Sequence, residues 1–286
     1  MFERIATERP ELLKVPGLTS SGESWKMSEF STSILVSCIG FSVWPHLFMK
    51  AFTARSDATL RRTVMLYPTF QLFIVPLLIV GFAGVLFETA PPETDQILPH
   101  VLMNIDLPMV VVGLFCAGAL AASMSSGDAI AHAAASALVC DGMVTALGKE
   151  LDSARKRYWI RIFVVVVMAA AYIMAVWSED TLVTLLLYAY GVVVQFAPPV
   201  IATLFVRRAT GAGVLLGLVA GVAVNIYFLK FAEQRPFEIH AGLYGLAANL
   251  LVLTLVSLFL PGDSGDDAFL EAASGSGSDS PSSGPR

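Results

Sequence analysis

Apolar residues come in long blocks along this chain, and polar residues gather between them. A helix needs about 20 mostly apolar residues to cross a hydrocarbon core. Seven blocks meet that length: Met27–Met49, Thr63–Phe87, Pro108–Cys140, Arg161–Trp177, Thr181–Val206, Ala212–Phe231 and Ala241–Leu260. The pattern predicts an all-α, polytopic membrane protein with about seven transmembrane helices. Pro68, Pro76, Pro198 and Pro199 fall inside blocks, which membrane helices accept where neighbours repair the lost backbone bonds. Residues 1–26 read as an extracellular or periplasmic loop segment, and residues 27–260 as a transmembrane helical domain. Residues 261–286 are rich in Gly, Ser and Asp and read as a disordered acidic tail, with too little apolar surface to fold.

Composition strengthens the membrane reading. The chain is 56% hydrophobic and only 14% charged, against about 25% charged in ordinary soluble domains. A net charge of −5 gives no basic footprint, so nucleic acid is not an expected partner. Cys38, Cys116 and Cys140 have neither metal nor disulfide spacing and read as small buried residues. There is no phosphate loop, zinc-ligand pair or nucleophile elbow, so the chain is not expected to be an enzyme or to hold an organic cofactor. The glycine-spaced "GAGVLLG" at 211–217 opens a membrane block, which argues against a dinucleotide loop.

Loop charges give an orientation. Lys50, Arg55, Arg61 and Arg62 follow the first block, Lys149, Arg155, Lys156, Arg157 and Arg161 the third, and Arg207 and Arg208 the fifth. The alternate loops are mostly acidic. By the positive-inside rule the basic loops face the cytoplasm, with the N-terminus outside and the C-terminus inside a cytoplasmic membrane. Trp25, Trp44, Trp159 and Trp177 fall near block ends, as interfacial anchors do.

The third block contains "ALAASMSSGD" at 119–128, where hydroxyls interrupt a greasy helix. At about 100° per residue, Ala122, Ser125, Ser126 and Ala129 share one stripe, and Ala121, Ser125, Asp128 and His132 the next. Hydroxyls and carbonyls on a stripe of small residues suit a small hard cation. The same pattern also fits serines bonding back to their own helix and small residues packing against a neighbour. Asp128 at membrane depth points to function, with an internal ion pair as its plainer role. His132 reads either as a proton carrier or as a hydrogen-bonded packing residue.

The stretch "GLFCAGALAASMSSGDAIAHAAASALVCDG" resembles the eighth core helix of the sodium:solute symporter family, and "GFSVWPHLFMKAFTARSDATLRR" resembles its sixth core helix and following loop. The resemblance implies a leucine-transporter-type fold, of which this chain holds the second inverted repeat plus two peripheral helices. It implies that the Ala122 carbonyl and the Ser125 and Ser126 hydroxyls form half of a sodium site. The first five core helices would then be missing, and with them the other sodium ligands and much of the solute pocket. Met49–Lys50 departs from the Gln-Arg common at that place in the family.

Further pathway candidates are Gly40, Ser42, Trp44 and His46 on the first block, where Gly40 and Pro45 can break the helix, and Tyr188, Tyr190 and Gln195 on the fifth. Interhelical bonding and interfacial anchoring are their plainer roles, and Asn225 is expected to bond between helices. The expected function is sodium-coupled symport of a small organic solute of the carboxylate or amino acid class. Its partners would be the bilayer and the N-terminal half of the transporter. Two alternatives stand beside it: an inactive or regulatory transporter fragment, and a seven-helix receptor or photoreceptor. A retinal protein would need a lysine within the last block, and none is there.

Overall fold

The computed structural model describes residues 1–18, 23–51, 53–87, 91, 94–178, 180–206, 208–232 and 235–260. The acidic tail, and the loop residues Glu88, Glu93, Glu179, Arg207 and Glu233, lie outside the described residues. In chain order the helices are α1 (Phe2–Glu8), α2 (Met27–Ser42), α3 (Pro45–Ala51), α4 (Asp57–Gln71), α5 (Ile74–Gly84) and α6 (Ile97–Asn104). They continue as α7 (Met109–Ala137), α8 (Ser153–Trp177), α9 (Leu182–Val193), α10 (Ala197–Phe205), α11 (Gly211–Lys230) and α12 (Ala241–Phe259). Among the described residues, seven helical stretches are long and apolar enough to cross a membrane, which is the all-α, polytopic architecture the blocks predict.

Proline chemistry sets the breaks. The ring of a proline removes the bond to the carbonyl four residues earlier and clashes with it. Pro76 does this to Leu72, and the second span divides there into α4 and α5, with Leu72 and Phe73 between them. Pro45 restricts Trp44 before it, so α2 stops at Ser42 and α3 starts on the proline. Pro198 and Pro199 do the same to Val194 and Gln195, and a 3-10 turn, Val194–Phe196, separates α9 from α10. Two spans run longer than their apolar blocks. α7 passes into a π-helical stretch, Leu138–Ala146. α8 begins at Ser153, where the Asp152 carboxylate accepts from the Arg155 amide at 2.8 Å and caps the helix.

The described chain forms two compact units. One comprises Met1–Glu23 and Pro45–Leu182. In it α7 packs on α8 and α3, and α5 on α6. Its buried residues are few and mostly small, including Ala131, Ala133, Ala135 and Val139. The apolar faces of α4, α5 and α8 point outward, with Val64, Phe70, Leu78, Val165 and Tyr172 all exposed. A helix satisfies its own backbone bonds, so such faces are stable only where the surroundings are themselves apolar, as in lipid.

The other unit comprises Ser24–Trp44 and residues from Val183 onward. Its centre is the antiparallel α11–α12 pair. Gly213, Gly217, Gly221 and Asn225 recur every four residues on α11, and Ala241, Gly245, Asn249 and Leu253 do so on α12. All eight are buried. A β-carbon on Gly245 would stand 2.5 Å from the Gly221 carbonyl oxygen, and one on Gly217 2.9 Å from that of Asn249. Glycine lets the two backbones meet at this distance, as small residues do between membrane helices.

Two expectations change here. Cys38 and Cys116 are exposed, and Cys140 is half-buried. Their helices turn these faces outward, so they are not core residues of either unit. Asn225 does not bond between helices: its amide is buried, and neither amide atom has a partner among the described residues. It lies beside Gly191, whose β-carbon would stand 2.8 Å from Asn225 Oδ1, so backbone approach rather than a hydrogen bond sets its place.

Candidate functional site

The oxygen-rich stripe lies on α7. Ser125 Oγ donates to the Ala122 carbonyl at 2.8 Å, and Ser123 Oγ to that of Ala119 at 3.0 Å. In lipid a hydroxyl without an outside partner turns back to its own helix in this way. The Ser125 bond also has a chemical consequence. It holds the Ser125 hydroxyl and the Ala122 carbonyl oxygen side by side on one face of the helix. The Ser126 hydroxyl beside them has no hydrogen-bond partner among the described residues.

Ala122, Ser125, Ser126, Asp128 and His132 are all exposed, while Ala131, Ala133 and Ala135 on the same helix are buried. α7 therefore buries its alanine face and presents its oxygens and its ionisable pair outward. Asp128 and His132 stand one turn apart and make no direct bond. Among the described residues no group of three or more His, Cys, Asp or Glu could hold a metal ion. What the stripe offers a cation is neutral oxygen.

The pathway candidates do not form one cluster. Gly40, Trp44 and Tyr190 come together. The Trp44 and Tyr190 rings meet edge to face with centroids 4.9 Å apart, and a β-carbon on Gly40 would stand 3.0 Å from Tyr190 Cδ1. Ser42 bonds back to the Cys38 carbonyl at 3.0 Å, and Lys230 Nζ lies 5.2 Å from the Tyr188 ring centroid. His46 is half-buried at the start of α3, in the unit that holds α7. Gln195 is fully buried, and its Nε2 donates to the Gly191 and Gly242 carbonyls, both at 3.0 Å. That is an interhelical tie.

Sequence reasoning missed the polar cluster around Gln195. Asn249 Nδ2 donates to the Gln195 carbonyl at 2.7 Å. His240 caps α12, with Nδ1 accepting from the Gly242 amide at 3.0 Å. Burial, with the Arg235 charge adding to it, lowers the His240 pKa to about 4, so the imidazole is neutral at pH 7. The loop before it grips the start of α2. Arg235 pairs with Glu29 at 2.7 Å, Lys26 pairs with Glu238, and the His240 amide donates to Thr32 Oγ1 at 2.9 Å. The signal for the cluster was present as "GAGVLLGLVAGVAVN" and "AGLYGLAAN", whose small and amide residues repeat every four positions.

A family model, the sodium:solute symporter family, matches residues 1–221. The chain belongs to that family. It is 25% identical over 276 residues to "Uncharacterized symporter YodF" of Bacillus subtilis (strain 168), covering 96% of this chain and 54% of that protein. To "Uncharacterized symporter YhjB" of the same organism it is 26% identical over 270 residues, 90% of this chain and 54% of that protein. To that organism's "High-affinity proline transporter PutP" it is 25% identical over 228 residues, 77% and 47% of the two chains. The chain thus spans about half the length of the curated relatives it matches. No solved structure matches it. Family membership and the seven apolar helical stretches together support a multi-pass membrane protein. The family match ends within α11, so Asn225, His240 and Asn249 lie beyond it.

Proposed function

We propose that this chain supplies the sodium-binding scaffold of a symporter that moves a small organic solute of the amino acid or carboxylate class. The observation that carries the reading is the α7 stripe, with two oxygens fixed 2.8 Å apart and the free Ser126 hydroxyl beside them. Ala122, Ser125 and Ser126 would give sodium three oxygens. A small cation needs more than three, and the stripe is exposed, so the rest come from a complementary set of helices laid over this face. That agrees with the chain spanning about half of its relatives' length. The proline transporter among those relatives supports an amino acid as solute.

Sodium on these neutral oxygens carries a net charge into the membrane. A potential of 100 mV then supplies about 2.3 kcal/mol per charge moved, roughly fiftyfold in accumulation. Asp128 and His132, one and two turns further along, are placed to set the local field or to accept a proton. Gly40, Trp44 and Tyr190 form a packed aromatic corner beside the break between α2 and α3, where a discontinuous helix can turn backbone groups toward solute. With the basic loops in the cytoplasm, the N-terminus of this chain lies outside and the C-terminus inside.

The test is proline uptake by the intact transporter in proteoliposomes, in sodium and in choline. Ser125→Ala and Ser126→Ala should each raise the sodium concentration for half-maximal uptake by at least about tenfold, the equivalent of about 1.4 kcal/mol. An unchanged sodium dependence in both variants removes the assigned site. Uptake that is indifferent to sodium but follows a proton gradient, and is lost in Asp128→Asn, assigns the coupling to the proton. A chain that binds neither ion nor solute when its complementary half is present would be a regulatory fragment.

A further inference from the structure

We propose that the groove between α7 and α8 binds the headgroup phosphate of an anionic phospholipid through Arg157 and Arg161. The inference goes beyond the transport reading and does not rest on it. The groove has a volume of about 580 Å³ and is lined by His132 of α7 and by Arg157, Ile160, Arg161, Val164 and Val165 of α8. Arg157 and Arg161 are one turn apart and so share a face. Beyond Arg161, α8 carries no charge from Ile162 to its end at Trp177. At about 1.5 Å per residue that run covers about 24 Å, less than a hydrocarbon core of about 30 Å. Arg161 therefore sits at the edge of the apolar layer or within it.

A guanidinium at that depth is costly unless it is paired. Among the described residues neither Arg157 nor Arg161 makes an ion pair with a carboxylate. Asp128, one turn from His132 on α7, pairs with neither. The neighbouring cavity under the α7–α8 loop, about 670 Å³, makes the contrast. There Lys149, Arg155 and Lys156 share the lining with two carboxylates, Glu150 and Asp152, so most of the positive charge has a counter-charge at hand. The groove holds cations with no counter-charge, and only an anion from outside completes it.

The lining also selects the kind of anion. Two arginine forks one turn apart match the oxygens of a phosphate, and the His132 ring can add a donor. Directly beyond them Ile160, Val164 and Val165 offer an apolar wall. A soluble phosphate would gain nothing from that wall, whereas an acyl chain would lie along it. Basic pockets between membrane helices bind anionic headgroups for this reason.

The experiment is native mass spectrometry of the intact, delipidated protein titrated with phosphatidylglycerol, phosphatidylcholine or inorganic phosphate. One phosphatidylglycerol should bind about tenfold more tightly than phosphatidylcholine. Arg157→Gln and Arg161→Gln should each weaken it by about threefold, and the double variant should bind both lipids alike. Lys149→Gln, in the neighbouring cavity, should leave the preference intact. Both arginines are exposed, so melting temperatures of the variants should stay at the parent value. A preference that survives in the double variant overturns the proposal. So does displacement of the lipid by millimolar inorganic phosphate, which would mark a site for a free anion.

Discussion

Asn249 of α12 donates its side-chain amide to the backbone carbonyl of Gln195 at 2.7 Å. That carbonyl is available because the residue four positions on, Pro199, has no N–H to give it. Pro199 thus breaks the helix, and Asn249 from another helix repairs the loss. Gln195 and Asn249 are both fully buried. Asn249→Ala leaves the carbonyl unsatisfied at a cost of about 1–3 kcal/mol, toward the lower end in a membrane. Asn249→Asp preserves the shape but sets an oxygen against an oxygen, and should cost at least as much. Thermal unfolding in detergent checks this. Two variants that melt with the parent protein would show that the bond contributes nothing.

The glycine ladder makes a prediction whose sign decides between two effects. Helix propensity alone favours Gly→Ala in a helix interior by about 1 kcal/mol. At Gly245 a β-carbon would lie 2.5 Å from the Gly221 carbonyl oxygen, and backbone cannot swing aside as a side chain can. Overpacking of this kind costs about 1–3 kcal/mol, so Gly245→Ala should lower the melting temperature. Gly81→Ala in α5 meets nothing within 4 Å and should be neutral or stabilising. Equal effects at the two positions would mean that α11 and α12 are not in contact.

These two cases show what was legible in the sequence. The seven spans could be read because the bilayer rewards apolar blocks of one length, whatever their neighbours. The prolines were visible too, yet the breaks fall up to four residues before Pro76 and Pro199, at the carbonyls those rings orphan. Hydropathy counts glycine as nearly neutral, so the four-residue repeat of Gly213, Gly217 and Gly221 passed as ordinary membrane helix. The partners of Gln195 lie 47 and 54 residues away, and no local pattern joins them. The α7 stripe could be ordered from its spacing alone, because its oxygens are neighbours on one helix.

The loop between α11 and α12 grips α2 by contacts of unequal worth. The Arg235–Glu29 pair is partly exposed, with side chains 28% and 38% accessible, and such pairs are worth about 1 kcal/mol or less. Thr32 Oγ1 accepts from the His240 amide at 2.9 Å in a partly buried setting. Thr32→Val strands that amide and should cost about 1–2 kcal/mol. Glu29→Gln should cost less, and its effect should fade as salt rises. Unfolding of the two variants at low and high salt checks the ranking. A larger, salt-insensitive loss from Glu29→Gln would reverse it.

His240 should make stability depend on pH. In the folded protein its pKa is lowered to about 4, first by burial and then by the Arg235 charge, against 6.5 for a free histidine. Between those values the unfolded chain binds a proton that the folded chain refuses. The contribution is therefore complete above about pH 6.5 and is lost progressively as pH falls toward about 4. A shift of this size corresponds to about 3 kcal/mol. Protonation would also remove the lone pair with which Nδ1 accepts from the Gly242 amide. Glu29 and Glu238 are carboxylates of the same loop contact, so the variant must isolate the imidazole. Asparagine caps helix N-termini well and takes up no proton. His240→Asn should therefore melt close to the parent at pH 7.5 and lose less stability than the parent between pH 6.5 and 4.5. Parallel melting curves for the two proteins across that range would mean that His240 is not held neutral by its surroundings.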